Sequence, residues 1–165
     1  MSTALTYQAI ATVVETPAGN GSAFVKATDA TVTLDGMNTT VVLGAATTPP
    51  VSKSALFTAT LVAGTVNIDL TALVGLGGGA QDCTGLRVQL ARFKAPAGNA
   101  NPITIQGGDT NSYDLMGSTF KTILQPGQEV TFYGCNLAPV VGSGAKTMKL
   151  TGTGSQTLQV EIVAG

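Results

Sequence analysis

Apolar residues in this chain recur at every second position, the spacing that places them on one face of a β-strand. In "ATVTLDGMNTTVVLG", Val32 and Leu34 alternate with Thr31, Thr33 and Asp35, and the Asp35-Gly36 step predicts a hairpin reversal into residues 40–43. In "ALFTATLVAGTVNIDL" the apolar set runs Phe57, Ala59, Leu61 and then Val66, Ile68, Leu70. Its parity changes across Ala63-Gly64, where a bend or bulge is expected. The same alternation continues at Leu86, Val88 and Leu90, at Ile103 and Ile105, and at Val130 and Phe132, the last pair preceded by the Pro126-Gly127 order of a type II turn. The closing "TMKLTGTGSQTLQVEIVAG" places Met148, Leu150, Leu158, Val160 and Ile162 on one face of a hairpin with a Gly/Ser turn, and Thr, Lys, Gln and Glu on the other.

No run of ten or more residues carries a helical period, and Asp69 is placed to cap at most one turn over "LTALVG". The expected fold class is therefore all-β, a single jelly roll or β-sandwich of about eight to ten short antiparallel strands with essentially no helix. A chain of 165 residues suits one domain with a sizeable core. Within a single domain of residues 1–165, residues 1–53 read as an N-terminal arm or extra sheet segment and residues 54–165 as the core.

Composition narrows the function classes. Charged residues make up 10% of the chain, against about 25% in an ordinary soluble domain, and 25 threonines supply much of the polarity. Eight Lys and Arg against nine Asp and Glu, without a charge run, give no basic field for phosphates or an anionic bilayer, so neither nucleic acid nor membrane is an expected partner. The opening "MSTALTYQAIATVVET" has no charged-then-apolar leader pattern, which predicts synthesis in a cytoplasm. Cys83 and Cys135 are the two cysteines; they read as buried small hydrophobes, with a disulfide between them as the alternative.

Candidate chemistry is sparse. "GLGGGA", with Gly75, Gly77 and Ala80, has the spacing of a dinucleotide fingerprint, but a strand rather than a helix is expected to follow, so no helix N-terminus is available for a phosphate. It reads as an interstrand loop, and no cofactor is expected. The chain has no histidine, which removes the commonest general base and metal ligand. Ser118 and Lys121 in "STFK" match the S-x-x-K of penicillin-recognising enzymes without the helix that motif needs. Asp109, Asn111 and Asp114 in "DTNSYD" are the oxygen ligands one loop would offer calcium; their spacing departs from the EF-hand and an Asx-rich turn is the plainer reading. The sequons at Asn20-Gly21-Ser22 and Asn38-Thr39-Thr40 carry little meaning without a secretion signal. No catalytic residue is assigned, and the chain is not expected to be an enzyme.

From about Leu86 to the end, "NPITIQGGDTNSYDLMG", "ILQPGQEVTFYGCNLAPVV" and "KTMKLTGTGSQTLQVEIVAG" follow one another in an order that resembles the small jelly-roll virion proteins of bacteriophages, the kind that decorate or cement capsid shells. The resemblance covers about half the chain. It implies a homo-oligomer, often a trimer, docked on the major capsid or another virion protein, located in the virion after synthesis in the host cytoplasm. It assigns no functional residue. The composition agrees: ordering Thr or Ser at a contact costs less side-chain entropy than ordering Lys or Glu. Only Glu15 is charged before Lys26, whereas a genome-packaging major capsid protein usually carries a basic arm, so an external role fits better; another phage structural subunit, major capsid, tail or fibre, is the alternative. A carbohydrate-binding β-sandwich is the alternative of another class. It would stack sugars on Tyr7, Tyr113 or Tyr133, with Tyr113 in the Asx-rich loop the best placed.

Overall fold

The computed structural model of this chain describes residues 4–11, 13–15, 32–34, 38–75, 77–134 and 137–165. The strands are β1 (Ala4–Ala9), β2 (Val13–Glu15), β3 (Val32–Leu34), β4 (Thr39–Gly44), β5 (Lys53–Thr60), β6 (Thr65–Asp69), β7 (Leu73–Val74), β8 (Ala80–Gln81), β9 (Val88–Lys94), β10 (Ile103–Gly107), β11 (Lys121–Leu124), β12 (Glu129–Tyr133), β13 (Thr147–Thr151) and β14 (Thr157–Ala164). The ladders β10-β11, β10-β13, β9-β12, β6-β13, β5-β14, β9-β14, β2-β3 and β7-β8 are antiparallel, and no helix occurs among the described residues. The fold is all-β, as the period-two pattern requires.

The chain divides into two compact units, one of Leu5–Val42 and one of Leu43–Gly165 with Met1–Ala4. In the first, β2 pairs with β3 from Val13↔Leu34 to Glu15↔Val32, while β4 pairs with β1. This corrects the expected hairpin of residues 32–34 with residues 40–43. The two segments lie in different ladders because each takes its partner from earlier in the chain, in a nested arrangement; residues 35–37, which hold the Asp-Gly step, lie outside the described residues.

In the larger unit, eight strands form two four-stranded sheets, one in the order β12-β9-β14-β5 and the other β11-β10-β13-β6. Counting β5, β6, β9, β10, β11, β12, β13 and β14 as first to eighth, the ladders join first with eighth, second with seventh, third with sixth and fourth with fifth. That is one long antiparallel hairpin folded at β10-β11. The ladders β9-β14 and β10-β13 then roll it up, producing two facing sheets. The inward side chains include Ala59, Phe93, Leu158, Val160 and Ile162 from the first sheet and Ile68, Ile105, Met148 and Leu150 from the second; they form one buried cluster. Full burial of each larger aliphatic stabilises the fold by about 1.5–3 kcal/mol. Apart from Phe93, these are positions the alternation selected.

Three local features differ from the sequence reading or refine it. The parity change at Ala63-Gly64 is a tight reversal, bridged Val62↔Thr65, with φ of 50° at Ala63 and 84° at Gly64, the left-handed pair a type I′ turn requires. A Cβ on Gly64 would lie 2.6 Å from the Gly152 carbonyl oxygen, so close approach as well as φ favours glycine there. The reversal passes the chain from one sheet to the other. Likewise β13 and β14 have the expected inward faces but belong to opposite sheets, so the predicted C-terminal hairpin is a crossover rather than a ladder.

The third feature lies in β9, where Val88 and Leu90 do not share a face. The β9-β14 register runs Val163↔Leu90 and then Ala164↔Val88, leaving Gln89 as an extra residue. A bulge of one residue flips the parity, so Val88, Ala91 and Phe93 join the core cluster while Leu90 falls on the other side. Elsewhere the turn chemistry holds. Gln128 N–H donates to the Gln125 carbonyl at 2.9 Å around Pro126 and a Gly127 with φ of 86°, as a type II turn demands. Asp69 makes an Asx turn instead of capping a helix, its carboxylate accepting from Thr71 N–H at 2.9 Å and Thr71 Oγ1 at 2.6 Å.

Candidate functional site

The loop from Gly107 to Ser118 folds back onto β13. Side chains at Gly107 and Gly108 would run into Ser112 and Thr147, so the two glycines let the loop return at close range. Asn111, at φ 52°, turns the chain and presents its carbonyl to the N–H groups of Lys146 at 2.8 Å and Thr147 at 2.9 Å. Tyr113 is thereby directed inward and is fully buried. Its hydroxyl donates to the Pro139 carbonyl at 2.8 Å and accepts from Val88 N–H at 3.1 Å, satisfying two backbone groups beside the β9 bulge. Burial raises the pKa of this phenol, against the hydrogen bond from Val88 and the charge of Arg87. A ring in this position cannot stack on a sugar, and the expectation that Tyr113 is a glycan platform is corrected: the loop is polar, but this side chain is core.

The three oxygen-bearing residues of the same loop are placed separately. Asp109 is ion-paired with Lys149 at 2.5 Å, Asp114 accepts from Ser112 Oγ at 2.9 Å, and Asn111 uses its backbone carbonyl as described. Among the described residues, no three of His, Cys, Asp and Glu come together as metal ligands do. Cys83 is buried, and desolvation, helped by the charge of Asp82 and opposed by Lys53, pushes its thiol up to about 11. Cys135 lies outside the described residues, and with it the question of a bond to Cys83. Gly75 and residues 77–79 lie between β7 and β8, with Gly75 N–H donating to the Gly79 carbonyl at 2.8 Å, so a strand and not a helix follows the glycines. Ser118 lies in a turn and Lys121 opens edge strand β11, both exposed and without a helix to align them.

A different feature has the form of a binding site. Asp114, Leu115, Met116, Gly117 and Ser118 from one segment and Phe132, Gly134, Leu137, Ala138 and Pro139 from another line an open cleft of about 600 Å³. Leu137 is 92% exposed, and Met116 is also exposed. The cleft adjoins β12, which is an edge strand of its sheet. It was not foreseen, because its two walls lie about twenty residues apart and neither has a period; the "NLAPVV" run was the available signal.

The outer faces of the sheets are polar. On the first sheet Arg92 pairs with Glu129 at 2.9 Å, and a shallow depression of about 150 Å³ is lined by Leu56, Arg92, Lys94, Gln159, Val160 and Glu161. On the second, the register sets Ile123, Thr104, Thr151 and Thr65 in one row and Lys121, Gln106, Lys149 and Asn67 in the next. The face is predominantly threonine and amide, with few charges. The second face has the neutral chemistry that the composition foretold, whereas the first gathers Arg92, Lys94, Glu129 and Glu161.

No protein-family model matches the chain, and no curated protein matches it. One solved structure that does comes from work reporting that Bacillus endospore appendages form a novel family of disulfide-linked pili; it is 12% identical, with a TM-score of 0.32, over 68% of this chain and 89% of that one. That likeness is too slight to carry either fold or function across.

Proposed function

We propose that this chain is a virion structural protein of the capsid-decoration type, which associates with copies of itself and docks on a protein lattice. The observation that carries the reading is the ladder scheme of first with eighth, second with seventh, third with sixth and fourth with fifth. It supports the jelly-roll fold implied by the resemblance to small phage virion proteins. Fold alone does not specify function. The surface gives the second support: rows of threonine and amide on one sheet, and an apolar cleft with Leu137 projecting beside it, are chemistry that desolvates cheaply against a neutral partner. A tail or fibre subunit would use the same chemistry. The carbohydrate reading loses Tyr113, its best residue, to the core.

The test is sedimentation of the purified chain, followed by co-sedimentation with capsid shells of its own virus at low and high salt. A discrete homo-oligomer, a trimer by the resemblance, that stays on shells when salt is raised supports the reading. Binding through neutral surface should vary little with salt, whereas charge-driven binding falls steeply as ions screen it over about 8 Å. A strict monomer that binds no shell, or one released by modest salt, overturns it.

A further inference from the structure

We propose that the apolar cleft of one copy receives the outer face of β11 from a second copy, whose Lys121 and Ile123 seat against Asp114 and Met116, and that this contact repeats head to tail around a ring of three. The inference rests on the assembly reading above and names the surface that serves it. Met116 and Leu137 are exposed at the cleft, and Asp114 is the one charged residue among those lining it. The Asp114 carboxylate accepts from Ser112 Oγ but takes part in no ion pair; those among the described residues join Arg92 with Glu129, Lys146 with Asp69 and Lys149 with Asp109. The socket is therefore apolar, with a single unpaired negative charge.

The chain carries the complement of this socket. The register sets Lys121 beside Gln106 and Ile123 beside Thr104 on the outer face of the second sheet, while Leu124 turns into the core. Ile123 is 53% exposed; Lys121 is exposed and belongs to none of the three ion pairs. Other exposed aliphatics of the larger unit lack such a neighbour. Leu56 lies opposite Glu161, Val140 is bridged to an Arg87 whose guanidinium donates to the Ala138 carbonyl, and Val62 and Val74 have no Lys or Arg within two residues. Two places apart on one strand face, Lys121 and Ile123 hold a charge and an apolar knob about 7 Å from each other. Asp114 and Met116, likewise two residues apart, are what they meet. The exposed ion pair adds little affinity but sets the register, and the apolar contact supplies the buried area.

The placement of the two patches gives an independent reason. β11 and β12 are edge strands of facing sheets joined by residues 125–128, and the cleft adjoins β12, so knob and socket lie on one flank of the sandwich without coinciding. A contact between two different patches, repeated head to tail, closes when the rotation between copies divides the circle, and a third of a turn gives the trimer. Patches on one flank turn each copy sharply against the last, toward a small ring, whereas patches on opposite flanks would stack copies into a filament.

Lys121→Asp and Ile123→Asp change exposed side chains, so each should fold, and each should lower the sedimenting mass of the wild-type assembly to about a third. Combining Lys121→Asp with Asp114→Lys should restore the mass, which a purely local role for either residue would not do. Met116→Cys and Ile123→Cys, coexpressed and oxidised, should form a reducible cross-linked pair, while each expressed alone stays at the wild-type background. The double cysteine variant should give covalent species up to the trimer. If Asp114→Lys does not fold, the cysteine variants decide. Folded Lys121→Asp and Ile123→Asp of unchanged mass, a coexpressed pair no more cross-linked than its members, or a double variant that stops at the dimer overturns the inference. Where such variants still bind shells, the cleft proposal falls and the decoration reading stands. A wild-type monomer that binds shells gives the cleft to the lattice protein and also overturns the inference; one that binds no shell removes both.

Discussion

Two neighbouring strands of one sheet, β14 and β9, are built on different rules. β14 alternates from Leu158 to Ile162, with Leu158, Val160 and Ile162 buried and the exposed Gln159 and half-buried Glu161 between them, and then buries Val163 and Ala164 where it meets the bulge. β9 buries four residues in succession, Val88 to Ala91, before alternation resumes at Arg92 and Phe93. The difference comes from one inserted residue, Gln89, and from the groups that hold it: Gln89 Nε2 donates to the Gly165 carbonyl at 3.2 Å, the backbones of Arg87 and Gly165 exchange bonds at 3.1 and 3.0 Å, and the Tyr113 hydroxyl accepts from Val88. Where period two is unbroken, hydrophobic burial alone assigns each side chain its face. At the bulge, polar groups distant in sequence do so.

The largest effect should come from β14. Val160→Asp puts an unpaired carboxylate in the cluster shared by both sheets, at a site with no exposure, and should cost several kcal/mol, about 3 or more. Gln159→Asp, one residue earlier on the solvent side, should cost under about 1 kcal/mol. Chemical denaturation of the two variants measures both. Equal losses would mean that β14 does not obey the alternation that distinguishes it from β9.

This contrast also marks what could be read from the chain. The inward residues of β5, β6, β13 and β14 were legible, because each face is a plain alternation and burial rewards nothing else. Which strands pair was not legible, since a crossover such as β13 to β14 and a hairpin share the same local pattern. The bulge was hidden for another reason: Gln89 lies in a run, "LRVQLARF", that alternates well enough with Leu90 placed inward. Tyr113 was misread because the polar residues around it describe the loop's exposed backbone and not the direction of the ring. The cleft depends on loops that meet only after the hairpin has rolled up, so no local pattern announces it.

The approach to β9 gives a sharper test, of intermediate size. Cys83 sits just before the strand, its N–H on the Leu70 carbonyl at 3.1 Å and its carbonyl accepting from Leu86. Its thiol is held up at about 11 from an ordinary 9.0, chiefly by burial. The folded protein thus keeps its proton after the unfolded chain has lost it, and this contribution is fully present below pH 9, declines as pH rises, and is gone above about 11. The difference in stability between wild type and Cys83→Ala should therefore shift by about 2 kcal/mol over that window. A flat difference under non-reducing conditions that acquires this slope on reduction would identify a bond from Cys83. A flat difference in both would mean that the approach to β9 is open to water, unlike the sealed face of β14.

The smallest effect lies at the bulge residue itself, and it separates the two groups that hold β9 out of register. Tyr113→Phe keeps the ring but deprives the Val88 N–H and the Pro139 carbonyl of a partner in a dry site, which should cost about 1–3 kcal/mol. Gln89→Met is a different exchange. It loses the bond from Nε2 to the Gly165 carbonyl, but it also removes Oε1, a buried acceptor that finds no partner among the described residues. One loss offsets the other in sign, and the net change should stay within about 1 kcal/mol. Denaturant midpoints of the two variants, measured side by side, assign the hold on the bulge. A large loss in Gln89→Met beside a small one in Tyr113→Phe would place it in the amide and its contact with Gly165, making the extra residue of β9 an anchor for the end of β14 rather than a side chain carried along by the hydrogen bond at Val88.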